Sequence, residues 1–259
     1  MRLRIGHIPM DVLTFQEALQ GIARLVQKRQ GGFVVTPNVA HVVLADSLPA
    51  FREAYAQASL SLVDGQPLVW LSPWVGKKLP DKISGADLVG PVLEMAAQNA
   101  WRVYFLGASP EVAAKARKVA EERYGTKVVG CDSPFISMEL GLEENQETLD
   151  KIKEARPDIL VLALGTPKQE MWMWRFREHY APAVALGMGA SLDFIAGRVR
   201  RAPPWVSRCG LEWAFRLQQE PRRLWRRYLL GGPPFLKILL RTLRRPKSER
   251  VFFLPRHPE

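Results

Sequence analysis

At 259 residues with 47% hydrophobic content, the chain is long enough for one full core plus an accessory segment. No run of about 18 apolar residues exists to span a bilayer, the N-terminal MRLRIGHIPMDVLTFQEALQ lacks a signal peptide's apolar run and cleavage site, and two cysteines, Cys131 and Cys209, give no disulfide framework. The net charge of +11 is confined to the last quarter: residues 198–259 hold sixteen Lys/Arg against four Asp/Glu, whereas the first 197 hold 21 against 22.

In chain order, short β-rich runs alternate with longer helical patterns. Strands are expected at Phe33–Thr36, Leu60–Val63, Val103–Leu106, Lys127–Gly130, Ile159–Leu164 and Ala183–Leu186. Helices are expected at Phe15–Lys28, Glu111–Tyr124, Glu144–Glu154 and Lys168–Glu178, where apolar residues recur at three and four. Several strands are nearly all apolar, as when helices cover both faces of a sheet. The pattern predicts an α/β fold with a mostly parallel, Rossmann-like sheet flanked by helices.

Past Gly197 the pattern changes. Ala202-Pro203-Pro204-Trp205 reads as a turn and Leu211–Gln219 as a helix. A further helix is expected from Pro221, closed by Gly231-Gly232-Pro233-Pro234, with no strand after it. The division expected is therefore a catalytic core over 1–197 and a basic helical appendage over 198–259. Arginines interleaved with Trp205, Trp213, Phe215, Trp225, Tyr228 and Phe235 suit an anionic surface, either phospholipid headgroups or nucleic acid.

In a parallel α/β sheet, ligands bind beyond the carboxyl ends of the strands, and five polar or glycine-bearing turns fall there. Thr36-Pro37-Asn38 follows the first strand, with Asn38 suited to cap the next helix. In Asp64-Gly65-Gln66-Pro67 the carboxylate is either a turn or cap residue or a general base. Gly107, opening Gly107-Ala108-Ser109-Pro110, allows close backbone approach but begins no full G-x-G-x-x-G. In Gly165-Thr166-Pro167-Lys168-Gln169-Glu170, Thr166 and Gln169 have capping-box spacing and Pro167 suits the first helical position, although a helix start after glycine is also a diphosphate site. In Gly187-Met188-Gly189-Ala190-Ser191-Leu192-Asp193 the glycines admit a ligand close to backbone, and Asp193 can accept from a ribose or an imide. His7, His41, His179 and His257 lack metal-ligand spacing, so no metal site is expected.

Taken together, Thr-Pro-Asn, Asp-Gly, Phe-Leu-Gly, Gly-Thr-Pro-Lys-Gln-Glu and Gly-Ala-Ser-Leu-Asp-Phe-Ile-Ala-Gly resemble the WecG/TagA/CpsF family of glycosyltransferases. The likeness continues through Arg200-Arg201-Ala202-Pro203, Gly210-Leu211-Glu212-Trp213, Gln219-Glu220-Pro221 and Trp225-Arg226-Arg227-Tyr228-Leu229, covering about Ile8 to Gly231. The resemblance implies an α/β transferase peripheral to the inner face of the cytoplasmic membrane, moving a sugar from a UDP-activated donor to a polyprenyl-diphosphate-linked acceptor. In teichoic-acid members UDP-N-acetylmannosamine donates to undecaprenyl-diphosphate-linked GlcNAc, forming a β-1,4 bond with inversion. Other members use UDP-N-acetylmannosaminuronate or a glucose-type donor for enterobacterial antigen, capsule or exopolysaccharide. It further implies Asp64 as catalytic base with Thr36 and Asn38 in the same pocket. Gln169 and Asp193 would lie on the donor nucleotide side, and Arg216, Arg223 and Arg226 would close over the site.

No Asp-x-Asp occurs anywhere in the chain. The usual metal clamp on a sugar-nucleotide diphosphate is thus missing, no cofactor or metal is expected, and guanidinium groups can stabilise the departing UDP instead. Lys82, in Lys82-Ile83-Ser84-Gly85, is a further basic candidate. A nucleic-acid-binding protein with a basic tail is a second reading. The five strand-end motifs oppose it, because they call for a small-molecule ligand, and no nucleic acid partner is expected. A sugar-nucleotide epimerase is a third, opposed by the incomplete dinucleotide fingerprint. A homo-oligomer is left open.

Overall fold

The computed structural model describes residues 1–199, 202–203, 206, 211–219 and 232–253; of Glu212, Trp213 and Arg216 only the backbone is described. The chain starts with β1 (Arg2–Ile5) and β2 (Ile8–Asp11), an antiparallel pair turning at Gly6. Sequence periodicity does not reveal these strands, because all of β2 and most of β1 are buried and no alternation marks them. α1 (Phe15–Lys28) follows at the predicted position. Thr14 and Glu17 form a reciprocal capping box at its start, and Ala18, Ile22 and Val26 make its buried stripe.

The main sheet has six parallel strands, β3 (Gly32–Val35), β4 (Leu60–Ser61), β5 (Arg102–Gly107), β6 (Lys127–Asp132), β7 (Ile159–Ala163) and β8 (Val184–Gly187), in the order β4-β3-β8-β7-β5-β6. All six coincide with predicted strands. α2 (Val39–Ser47), α3 (Pro49–Gln57), α4 (Gln66–Val75), α5 (Gly85–Gln98), α6 (Pro110–Tyr124) and α7 (Leu142–Ala155) fill the crossovers up to β7. The single helix expected over Lys168–Glu178 is broken at Phe176 into α8 (Lys168–Arg175) and α9 (Arg177–Tyr180).

Strand side chains alternate between two cores. Val103, Phe105 and Val161 join Ile22, Val92 and Ala116 from α1, α5 and α6 on one face. Tyr104, Leu160 and Leu162 join Val42, Phe51, Leu68, Leu149 and Trp172 from α2, α3, α4, α7 and α8 on the other. Such double coverage explains why β7 and β8, near the middle of the sheet, read as unbroken apolar runs.

After β8 come α10 (Ser191–Ile195), α11 (Glu212–Gln219), α12 (Gly232–Leu243), α13 (Lys247–Arg250) and β9 (Val251–Phe252). The helix expected from Pro221 and its close at Gly231 lie outside the described residues, as do Pro204 and Trp205 of the expected turn. Gly232-Pro233-Pro234 forms the first turn of α12, where a missing N–H costs nothing. One expectation for this region changes. A strand does follow: β9 pairs antiparallel with β1, giving a second sheet, β2-β1-β9. Two residues paired at a sheet edge carry too little pattern to be seen in sequence.

Residues 232–252, read from the sequence as part of the appendage, are packed into the first core. Phe235, Ile238 and Leu239 lie beside Leu3, Ile5 and Val42, and each such burial stabilises by about 1.5–3 kcal/mol. The Thr242 hydroxyl accepts the Gly6 amide at 2.9 Å. Arg250 donates to the Val75 carbonyl at 2.7 Å, and Arg241 pairs with Asp46 on α2. Gly6 is required at its turn: its φ is +62°, and a Cβ there would stand 2.7 Å from Ile238 Cγ2. Gly6→Ala should therefore lower stability by about 1–3 kcal/mol through strain and overpacking, read as a lower urea midpoint with an unchanged slope.

Candidate active site

Because every strand of the main sheet runs the same way, the five turns singled out in sequence lie along one edge. In sheet order they are Asp64 beyond β4, Thr36 and Asn38 beyond β3, Gly187, Gly189 and Asp193 beyond β8, Gly165, Thr166 and Gln169 beyond β7, and Gly107 at the end of β5. Four strand spacings separate the ends of this row, roughly 19 Å.

Backbone hydrogen bonds draw the acid end together. Asp64 N–H donates to the Pro37 carbonyl at 2.7 Å. Gly65 sits against Asn38, whose Cβ lies 3.6 Å from the place a Cβ on Gly65 would take. Asn38 caps α2, its side chain accepting from the Ala40 amide at 3.0 Å. The buried Thr36 hydroxyl donates to the Gly187 carbonyl at 3.1 Å, which ties β3 to β8 at the same level. Gly65, not Asp64, occupies the N-cap position of α4. The Ile83 amide donates to the Val63 carbonyl at 2.7 Å, bringing Lys82 alongside the Asp64 loop, and Lys82 lies 3.5 Å from Asp87.

At the centre, Thr166 and Gln169 do not form the expected capping box. α8 begins at Lys168 with Pro167 at the cap position, and the Gln169 amide is already taken by the Gly165 carbonyl at 2.9 Å. Both side chains serve a polar chain instead. The Tyr55 hydroxyl is 2.7 Å from His41 Nδ1, and His41 Nε2 is 2.9 Å from Thr166 Oγ1. Thr166 donates to Glu170 Oε1 at 3.2 Å, Gln169 donates to the same oxygen at 3.1 Å, and Gln169 Oε1 accepts the Gly189 amide at 3.0 Å. Thr166 has one proton and gives it to Glu170, so His41 donates from Nε2 and accepts from Tyr55 at Nδ1.

His41, Tyr55 and Glu170 were not singled out in the sequence. The available signal was a histidine one turn into α2 and a glutamate next to Gln169, both of which local pattern alone assigns to a surface. Gln169 is 3% exposed and Glu170 fully buried, so Gln169 positions the Gly187–Gly189 turn. Asp193 lies on the next helix, α10, 3.6 Å from Arg198.

At the other end, a cleft of about 260 Å³ opens between the carboxyl ends of β5 and β7. It lies where the chain leaves β5 toward the core containing α6 and leaves β7 toward the core containing α8, the switch point at which such sheets bind ligands. Gly107, Ala108, Ala163 and Leu164 form its floor, and Phe135, Ile136 and Lys168 its side. Gly107 is needed here for packing: with φ +99°, its Cβ would stand 2.8 Å from the Ala163 backbone. Gly165 and Gly189, both at positive φ, have open space where a Cβ would be. Phe135 is 90% exposed, and the Lys168 ammonium stands 5.6 Å from its ring centre while donating to the Ile136 carbonyl at 2.9 Å. Phe135 and Lys168 were also missed, since a lone aromatic after Ser-Pro and a lysine in a first helical turn are common loop features. Burial pushes the nearby Cys131 thiol up to about 11, so it is protonated at neutral pH and no nucleophile.

Arg223 and Arg226 lie outside the described residues. Arg216 is on α11, its side chain likewise outside them.

A parallel α/β sheet with a carboxylate at one end of its ligand edge and an aromatic-cationic cleft at the other is the arrangement of a small-molecule site in the doubly wound class. Comparison with known proteins narrows it. The profile of the "Glycosyl transferase WecG/TagA/CpsF family" matches residues 3–249, and the chain belongs to that family. A relative from Bacillus spizizenii (strain ATCC 23059 / NRRL B-14472 / W23) is 33% identical over 217 residues, 83% of this chain and 81% of its own length. One from Bacillus subtilis (strain 168) is 29% identical over 220 residues, 85% and 81% of the two chains. One from Staphylococcus aureus (strain MW2) is 29% identical over 218 residues, 84% and 83%. All three are named N-acetylglucosaminyldiphosphoundecaprenol N-acetyl-beta-D-mannosaminyltransferase.

The polar chain gives a direct test. Gln169→Leu keeps the volume but leaves the Gly189 amide without its acceptor and removes one of the donors to Glu170. The cost should be about 1–3 kcal/mol, seen as a Tm lower by several degrees in thermal unfolding followed by circular dichroism.

Proposed function

We propose that this protein is an inverting glycosyltransferase that moves N-acetylmannosamine from UDP-N-acetylmannosamine to GlcNAc carried on undecaprenyl diphosphate, in the assembly of a teichoic-acid-type wall polymer. The observation that carries the reading is the single edge of the sheet on which Asp64, Thr36 and Asn38 stand at one end and the β5–β7 cleft at the other, in a chain of this family. The relatives' names supply donor sugar and acceptor.

The nucleotide occupies the cleft between β5 and β7, with its base on Phe135 and the Lys168 ammonium beside it. Its diphosphate and sugar run along the edge past the Gly165 and Gly187–Gly189 turns toward β3. The open positions at Gly165 and Gly189 leave room for a ligand close to backbone. Asp193 serves the donor from the β8 side. Asp64 accepts the proton of the acceptor hydroxyl; that oxygen attacks the anomeric carbon from the face opposite UDP, and the C–O bond to UDP breaks with its electron pair leaving on the phosphate. One displacement inverts the centre, consistent with the beta linkage in the relatives' names. Asn38 and Thr36 hold the loop beside Asp64, and Arg216, Arg223 and Arg226 stabilise the departing diphosphate through charge-assisted hydrogen bonds.

No helix among the described residues is long and apolar enough to cross a membrane. A polyprenyl-linked acceptor then requires work at the surface of the leaflet, with the protein peripheral on the cytoplasmic side.

Asp64→Asn keeps shape and removes basicity. Its kcat should fall by about 10²–10⁴, with the UDP-sugar KM within a few-fold of the parent; near-parental turnover would remove Asp64 from the role. Because the chain has no Asp-x-Asp, initial rates in excess EDTA should equal those in magnesium, and a steep loss restored by magnesium would contradict arginine-based stabilisation of UDP.

A further inference from the structure

α4 begins two residues after Asp64 and carries Trp70 and Trp74 one turn apart on the side turned away from the core residues Leu68, Val69, Ser72 and Val75. Trp70 is 54% exposed and Trp74 77%. A pair of outward tryptophans on one short helix is unusual for a surface with no partner. They are not isolated. α12 packs beside α4 and exposes Leu236 and Leu240, one turn apart, while its other face is buried. The C-terminal end of α4 meets α13: Arg250 donates to the Val75 carbonyl, and the Lys247 stem lies 3.6 Å from the Cβ position of Gly76.

The charge around these apolar side chains is mostly positive. Lys77 and Lys78 are exposed directly after α4, Lys237 and Arg244 are exposed on and just after α12, and Lys247 on α13. Glu249 is an exposed acid on α13, and Asp81 is engaged with the Phe15 amide. Protein–protein interface cores are depleted in lysine. Tryptophan and leucine fringed by lysine match the headgroup zone of an anionic leaflet.

We propose that the outward face of α4, with the exposed leucines of α12 and the surrounding lysines, docks on an anionic phospholipid leaflet. This rests on the transferase reading for its purpose, though not for its test. Because α4 starts two residues after Asp64, docking through its outward face holds the Asp64 loop close to the leaflet that carries a lipid-linked acceptor.

The test is flotation of the full chain with vesicles of equimolar phosphatidylglycerol and phosphatidylcholine. Trp70→Gln/Trp74→Gln should reduce the vesicle-bound ratio about tenfold with Tm unchanged, since both side chains face solvent. Lys77→Gln/Lys78→Gln should reduce it less and flatten its salt dependence. Transfer to an acceptor with a short, water-soluble prenyl chain should be unaffected in the tryptophan double variant, while transfer to the long-chain acceptor in vesicles falls. Parental vesicle binding by the tryptophan double variant would overturn the proposal. So would a lipid-free parental dimer, by sedimentation, that this variant converts to monomer, because the face would then bind a second copy. Should the parent transfer no sugar to either acceptor, the transferase reading fails, while flotation still decides the docking surface.

Discussion

A run of hydrogen bonds, from the Tyr55 hydroxyl through His41, Thr166, Glu170 and Gln169 to the Gly189 amide, fixes the geometry on which the rest of the ligand edge depends. It links α2 and α3 to the turns after β7 and β8, with each proton used once. Inside a protein such bonds are stronger than in water, and leaving any member unpaired is costly. The backbone of the Gly187–Gly189 turn, which Thr36 grips from the other side, is therefore held from two directions. A ligand lying along this edge meets a surface already arranged, and little binding energy is lost to ordering it.

The two ends of the edge owe their properties to different physics. The cleft between β5 and β7 follows from topology alone: connections leaving adjacent strands toward opposite faces part above the sheet. The acid end is built by backbone pairing, since Asp64 and Asn38 come together through the Asp64–Pro37 hydrogen bond and the close contact at Gly65. The cleft and Asp64 thereby stand on one row of strand ends within a single sheet.

Much of this was legible beforehand. β3 to β8 announced themselves because buried parallel strands are apolar runs, and the site motifs because polar residues at strand ends stand out against such runs. What escaped had physical reasons. β1, β2 and β9 are short and form a ribbon whose pattern is not alternating. Of the helices between β3 and β5, only starts after Asn38 and Asp64 were anticipated; α4 reads as apolar all round, because Trp70 and Trp74 lie outside as Leu68 and Val75 lie inside. Thr166 and Gln169 had capping-box spacing, yet the helix starts one residue later than the box requires. Their partners, His41 and Glu170, come from α2 and α8, and local spacing cannot show that these meet. Phe235 and Ile238 looked like appendage because composition changes at Gly197, whereas packing does not follow composition.

The pairing of β9 with β1 joins segments almost at opposite ends of the chain. Loop closure over such a separation is slow compared with local helix formation. During synthesis at 5–20 residues per second, roughly 10–50 s pass between emergence of β1 and arrival of its outer partner. Over that interval Leu3 and Ile5 have no α12 against them, and one edge of β1 presents unpaired backbone, a template for wrong pairing. The nascent chain is exposed longest at the very ribbon its last residues complete, which makes co-translational chaperone contact most valuable at its first strand.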